Sequence, residues 1–416
     1  MAEMMKNTGI EWIGRIPTEW TVNKVKYLAY MKGRIGWQGL KADEFIEEGP
    51  YLVTGTDFVN GKVNWETCYH ISEQRYAEDP AIHVMLGDLL ITKDGTVGKT
   101  AYIDVKPEKV SLNSHLLIIR PLKNEYDNRY LYWLINSPIF DVYTLYAQNG
   151  SIMASLSQEK IGAFCIPMPD LSEQKKIADF LDKQTSKIDA IIKTNEEQLE
   201  VLKKYKKSLI TQTVTKGLNK NVKMKDSGIK DIGKIPEHWK ALRLKYLCSI
   251  TTGDEDTQNA DADGQYPFYV RSPIVEHCNR YTFDGEGILV AGDGAGAGRI
   301  FHHVYGKYAV HQRVYRLYNF KCDSNYLHFY LSNFFPKEMD KGSAQSTVPS
   351  MRLPMLLNFK ITIPTNEEQK RIADYLDEKC TKIDSLITQK QEAIETMQKY
   401  KKSLIYEYVT GKKRIK

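Results

Sequence analysis

Two glycine-rich stretches hold the residue types best suited to chemistry. Gly95-Thr96-Val97-Gly98-Lys99-Thr100 has the ending of a phosphate-binding loop, where backbone N–H groups and a lysine cradle a nucleotide. That pattern requires a glycine five residues before Gly98, and the residue there is Lys93. It also requires a helix to follow, whereas Ala101 to Val105 reads as extended. Gly292-Asp293-Gly294-Ala295-Gly296-Ala297-Gly298 suggests a dinucleotide or S-adenosylmethionine loop. It misses the G-x-G-x-x-G spacing, and the β-like run from Arg299 to Tyr308 offers no helix N-terminus to a phosphate. Both stretches fill one slot: a strand, an Asp-Gly turn and a further strand. Glycine-rich hairpins are the better reading.

No other catalytic set replaces them. The sequence has no Asn-Pro-Pro-aromatic methyltransferase motif, no Ser/His/Asp set, no His-Glu-x-x-His and no paired-carboxylate nuclease spacing. His302-His303 reads as a surface or hairpin pair. Six scattered cysteines without a Cys-x-x-Cys pair read as reduced cytosolic thiols and argue against a zinc site. No apolar run approaches ~20 residues, so no membrane span is expected, and Met1 to Asn7 lacks the apolar core of a signal peptide. A net charge of +6 permits nucleic acid as a partner without demanding it.

The elements that position these hairpins are written twice. Glu173-Gln174-Lys175-Lys176-Ile177-Ala178-Asp179-Phe180-Leu181-Asp182 returns as Glu368-Gln369-Lys370-Arg371-Ile372-Ala373-Asp374-Tyr375-Leu376-Asp377. Both copies end on Lys-Tyr-Lys-Lys-Ser-Leu-Ile, at 204–210 and 399–405. Each copy predicts one long helix, over 170–215 and 365–410. Asp170 with Glu173, and Thr365 with Glu368, have capping-box spacing. Leu181, Ile188, Asn195, Leu202 and Leu209 recur every seven residues, as do Leu376, Ile383, Lys390, Met397 and Leu404. That period marks a helix packed on another helix. At ~1.5 Å per residue each would be roughly 60 Å long. Asn195 and Lys390 fall at the midpoints, where paired helices place them opposite each other in one polar spot.

A second repeat opens each half. Gly9-Ile10, Gly14-Arg15-Ile16-Pro17 and Trp20 match Gly228-Ile229, Gly233-Lys234-Ile235-Pro236 and Trp239. The frame is duplicated and the filling, roughly 30–165 and 249–362, has diverged. The first helix leads through a basic connector into the second half, and the tail after the second leads back toward the first. Such closure implies a pseudo-two-fold, and a two-fold across the helix pair makes them antiparallel. The expected organisation is a mixed domain over 1–169, helix 170–215, connector 216–226, a second domain over 227–364, helix 365–410 and tail 411–416. The class is α+β: two mixed α/β domains separated by two long antiparallel coiled-coil helices.

On these doubled motifs the chain resembles the specificity subunit of type I restriction–modification systems, over essentially its whole length. The resemblance implies a noncatalytic cytoplasmic protein. Each filling would be a target-recognition domain reading half of a split site in double-stranded DNA. The helices would act as a ruler and as the docking surface for two methyltransferase subunits, which restriction subunits then join. It implies no cofactor in this chain, with S-adenosylmethionine, ATP and Mg on the partners. A reader of this kind needs polar side chains on exposed loops for base edges and phosphates. The hairpins offer Lys93, Asp94, Thr96 and Lys99 in the first domain. The second offers Asp293, Arg299, His311, Gln312 and Arg313. The competing readings are a methyltransferase or nuclease with an unrecognised site, and a coiled-coil adaptor without a DNA role.

Overall fold

The computed structural model describes residues 4–34, 40–123, 125–147, 156–342 and 349–415. The chain forms two compact units, Met1–Asn195 with Ala393–Lys416, and Glu196–Glu392. Each unit holds one mixed domain, the start of one long helix and the end of the other.

In the first unit a four-stranded antiparallel sheet carries the hairpin. Its strands are β1 (Ala29–Lys32), β2 (Leu89–Thr92), β3 (Thr100–Tyr102) and β4 (Leu116–Pro121), in the order β3-β2-β4-β1. Leu89, Leu90 and Ile91 are buried on both faces, which is why the run reads as continuously apolar. One face packs on α1 (Asn128–Ile135). The other face meets a smaller sheet in which 110–112 runs parallel to 51–53.

The second unit repeats this plan with β5 (Ser249–Thr252), β6 (Gly287–Ala291), β7 (Phe301–Val304) and β8 (Val314–Tyr318), ordered β7-β6-β8-β5. Behind it lies α3 (Ser324–Gly342). The continuous helix between the domains in sequence is α2 (Leu171–Lys216), and its counterpart is α4 (Asn366–Val409). Strand β3 follows Gly98, and β7 follows the glycine-rich run. Neither stretch therefore opens a helix, and both are hairpins.

Within each unit the helix halves run antiparallel. In the first, Asp189 pairs with Lys401 at 2.6 Å and Phe180 stacks on Tyr408. In the second, Asp384 pairs with Lys206 at 2.6 Å, the same contact with the helices exchanged. Leu181, Ile188, Leu376, Ile383 and Leu404 are buried in the seam. Asn195 donates instead to the Ile191 carbonyl of its own helix, at 2.8 Å.

The capping boxes form by half. Asp170 and Thr365 accept the N–H groups of Glu173 and Glu368, at 2.8 and 3.3 Å. The glutamates do not reach back to the cap. They accept the indole N–H groups of Trp20 and Trp239, at 3.0 and 3.2 Å. This ties the Ile-Pro-x-x-Trp opening to the helix start. Arg414, beyond α4, pairs with Glu173 at 2.5 Å and with Glu19, so the segment after α4 does return to the opening motif.

The Gln of each Glu-Gln pair is also structural. Gln174 is fully buried, accepting from Asp127 N and donating to Pro169 O, both at 2.9 Å. Gln369 does the same with Asp323 N and Pro364 O, at 2.8 and 2.9 Å. Two buried tyrosines then receive the helix ends. Tyr130 shares its hydroxyl proton between Pro167 O and Val409 O, at 3.0 and 3.1 Å. Tyr326 shares its own between Thr362 O and Val214 O, at 2.6 and 3.1 Å. The last carbonyls of a helix lack intrahelical partners, and the tyrosines supply one.

Candidate nucleic-acid interface

The two hairpins are built to one design from different residues. In the first, Gly95 and Gly98 adopt φ of 73° and 84°, and Gly98 N–H donates to Thr92 O at 2.9 Å. In the second, Gly294 and Gly298 adopt 74° and 63°, and Gly298 N–H donates to Ala291 O at 2.8 Å. Such φ values favour glycine, which has no Cβ to clash.

A neighbouring turn is held to each hairpin in the same way. Lys93 N–H donates to His115 O and Gly292 N–H to Arg313 O, each at 2.9 Å. Asn113 Oδ1 accepts the N–H of His115 at 3.1 Å. His311 Nδ1 accepts that of Arg313 at 3.0 Å. A third segment closes each tip: Leu156 N–H on Lys93 O at 2.8 Å, and Met351 N–H on Gly292 O at 2.7 Å. Residues distant in sequence thus meet at one end of each sheet.

The polar groups there differ between the domains. In the second, Asp293 is mostly buried and grips two guanidinium groups, Arg271 at 3.1 Å and Arg313 at 2.9 Å. Both arginines stay exposed. Gln312 is exposed beside them, its amide donating to Asp256 at 2.7 Å. His311 is only 3% exposed. Burial first, then the charge of Arg271, lowers its imidazole below the ordinary histidine range. It is therefore neutral near pH 7 and acts as the acceptor that shapes the Arg313 turn. Arg299 points elsewhere, pairing with Asp340 of α3.

In the first domain Asp94 lies 3.6 Å from His115, a looser version of the Asp293–Arg313 pair. Thr96 is exposed, and its carbonyl accepts the Thr92 hydroxyl. Lys93 is half-buried at the base of the tip. Lys99 turns its ammonium toward Phe58 O, at 3.4 Å.

Asp293, Gln312 and Arg313 therefore come together, as do Lys93, Asp94 and Thr96, while Arg299, His311 and Lys99 serve other contacts. Sequence reasoning missed Arg271, Asp256 and His115. Arg271 follows strand 266–269, whose parallel pairing of 268–269 with 309–310 carries it to Arg313. Nothing local in the sequence signals that pairing.

A carboxylate bracing two exposed guanidinium groups fixes their forks without neutralising both. Such forks suit bidentate contact with guanine O6 and N7, and a glutamine amide suits adenine N6 and N7. Among the described residues no nucleophile with an adjacent base lies at either tip. Among the described residues no group of three or more His, Cys, Asp or Glu side chains could hold a metal ion. No helix among them is long and apolar enough to cross a membrane.

Comparison with known proteins gives a consistent picture. The model of the type I restriction modification DNA specificity domain matches residues 17–201 and 236–396. The type I restriction enzyme MjaVIII specificity subunit of Methanocaldococcus jannaschii is 27% identical over 437 residues, covering 97% of this chain and 95% of that protein. A chain from a structure described as the basis of complex assembly and conformational transition of the type I R-M system superposes with a TM-score of 0.70. It is 16% identical and covers 95% of this chain and 99% of its own. The HsdS subunit from Thermoanaerobacter tengcongensis gives 0.52 at 14% identity, over 95% and 98%.

Proposed function

The chain belongs to the type I restriction modification DNA specificity family, and from that premise we propose how its parts divide the work. It is the noncatalytic, sequence-specific DNA-recognition subunit of a type I restriction–modification complex. Each mixed domain, over 1–169 and 227–364, reads one half of a bipartite site in double-stranded DNA. The hairpin tips and the turns pinned to them do the reading. In the second domain Arg271, Arg313 and Gln312 face the bases, with Asp293 bracing the arginines. In the first, Lys93, Asp94, Thr96 and His115 take that place.

The observation that carries this reading is the twice-built tip. One backbone design recurs, while its exposed side chains differ. A protein reading two different half-sites with one kind of module requires that combination.

Chemistry resides on the partners: two methyltransferase subunits and the restriction subunits, bringing S-adenosylmethionine, ATP and Mg to the complex in the cytoplasm. Repeated exposed apolar residues on the helices support a partner that binds twice. Ile191 and Tyr205 on α2 recur as Leu386 and Tyr400 on α4, and all four are about half exposed.

The test is a domain exchange. Residues 30–160 are replaced by the same region of a relative, and methylated bases are mapped by single-molecule sequencing. One half of the modified site should change. A change in both halves would sink the modular reading.

A further inference from the structure

A cleft of about 460 Å³ opens in the second unit between the end of α2, the outer face of α3 and the base of the β6–β7 hairpin. Lys203, Lys206, Lys207, Arg299 and Lys337 line it, against only two carboxylates, Asp340 and Asp384. Both carboxylates are engaged, Asp384 by Lys206 and Asp340 by Arg299. Lys207 and Lys337, on opposite walls, make no ion pair among the described residues. The cleft thus has a surplus of positive charge and a shape that admits a small anion.

We propose that this cleft seats a phosphate of the DNA backbone, which rests on the DNA-reading function proposed above. Arg299 is the link. It stands on the same hairpin as Asp293, six residues further on, so the seat and the reading tip share one element. Phosphate contacts fix register while base contacts specify. A phosphate held by Lys207, Lys337 and Arg299 therefore sets where the tip meets the bases. The ion pair of Arg299 is exposed and weak, and a phosphate can replace it.

Among the described residues the first unit keeps Lys402 in the place of Lys207 but lacks the rest of the seat. Its counterpart of Arg299 is Lys99, which faces the Phe58 carbonyl. The position of Lys203 in the helix repeat is Gln398. Phe140 against Phe164 and Phe335 against Phe359 are the same edge contact, both at 5.0 Å. That alignment puts Val142 where Lys337 stands. The seat serves the second half-site alone.

The experiment uses the chain assembled with its methyltransferase subunits and a duplex carrying the mapped methylation site. Affinity is measured by fluorescence anisotropy from about 50 to about 200 mM KCl, the range over which counterion release is steep. Each phosphate contact contributes a slope of about 0.9 in log K against log salt. The K207Q/K337Q variant should lose about 0.9 from the slope, the share of one phosphate. Its affinity deficit should therefore shrink about 3.5-fold between the two salt concentrations. The methylated sequence should stay the same, and K207R/K337R should restore the slope. An unchanged slope in K207Q/K337Q overturns the proposal. So does loss of co-elution with the methyltransferase subunit, which would assign the cleft to an acidic protein face. Failure of the wild-type complex to prefer its site over a scrambled duplex refutes the recognition function itself, and the two failures are thereby told apart.

Discussion

Replacing Asp293 by Asn separates recognition from stability. The carboxylate is 15% exposed and holds Arg271 and Arg313 at 3.1 and 2.9 Å, but those arginines are 42% and 64% exposed. Solvent screens pairs of this kind, so the loss in folding stability should stay at or below about 1 kcal/mol. The effect on reading should be larger. With the brace gone, the two guanidinium groups repel each other and lose their fixed forks. One bidentate base contact is worth about 1–3 kcal/mol of discrimination, or about 5–150-fold. D293N should therefore melt close to wild type yet methylate degenerate sequences at one half-site, with the other half unchanged. The assay is single-molecule methylation mapping beside a thermal melt. D94N is the comparison. Its pair with His115 is 3.6 Å long and exposed on both sides, so the melt should not shift and any change in discrimination should fall on the other half-site. Full specificity in D293N, at wild-type methylation rates, would refute the bracing argument.

Other outcomes follow from the same contacts. Tyr130→Phe and Tyr326→Phe each strip a fully buried donor from two carbonyls, which should cost about 1–3 kcal/mol, read as a lower urea midpoint. The loss should be confined to the unit carrying the change, as hydrogen exchange would show. Burial, then the neighbouring charges of His303 and His302, lowers His328 from 6.5 to about 4. The unfolded chain takes up that proton first. Stability of the second unit is therefore complete above about pH 6.5 and falls as pH drops toward 4, by about 3 kcal/mol in all. His328→Gln should flatten that part of the pH profile of the urea midpoint, and a profile as steep as wild type would argue against this origin.

Much of the fold was legible because the frame is duplicated. Two copies with one register fixed both helices, and the closure of one half onto the next implied their direction. The glutamates of the capping boxes were harder to place. Local spacing favours a reach back to the cap, but an indole brought from about 150 residues away competes for the same carboxylate and wins. The tips were half legible. Asp-Gly turns located the hairpins, and polarity picked Asp293 and Arg313. Polarity also picked His311, whose ring is buried because its Nδ1 is needed by a backbone N–H. Arg271 was invisible, since a parallel strand pairing has no local signature.

The interrupted composition of the first unit has a consequence in time. The second unit is one unbroken stretch, 196–392, whereas the first needs 393–416 to complete its helix pair. Ribosomes add about 5–20 residues per second, so the 198 residues from 195 to 393 take about 10–40 s. Throughout that interval Tyr130 lacks Val409 and Glu173 lacks Arg414. The apolar flank of Leu181 and Ile188 also waits for its partner. For the helix pairs the usual order, in which the earlier one matures first, is thus reversed. The later half can close while the earlier half is still open to chaperones and proteases.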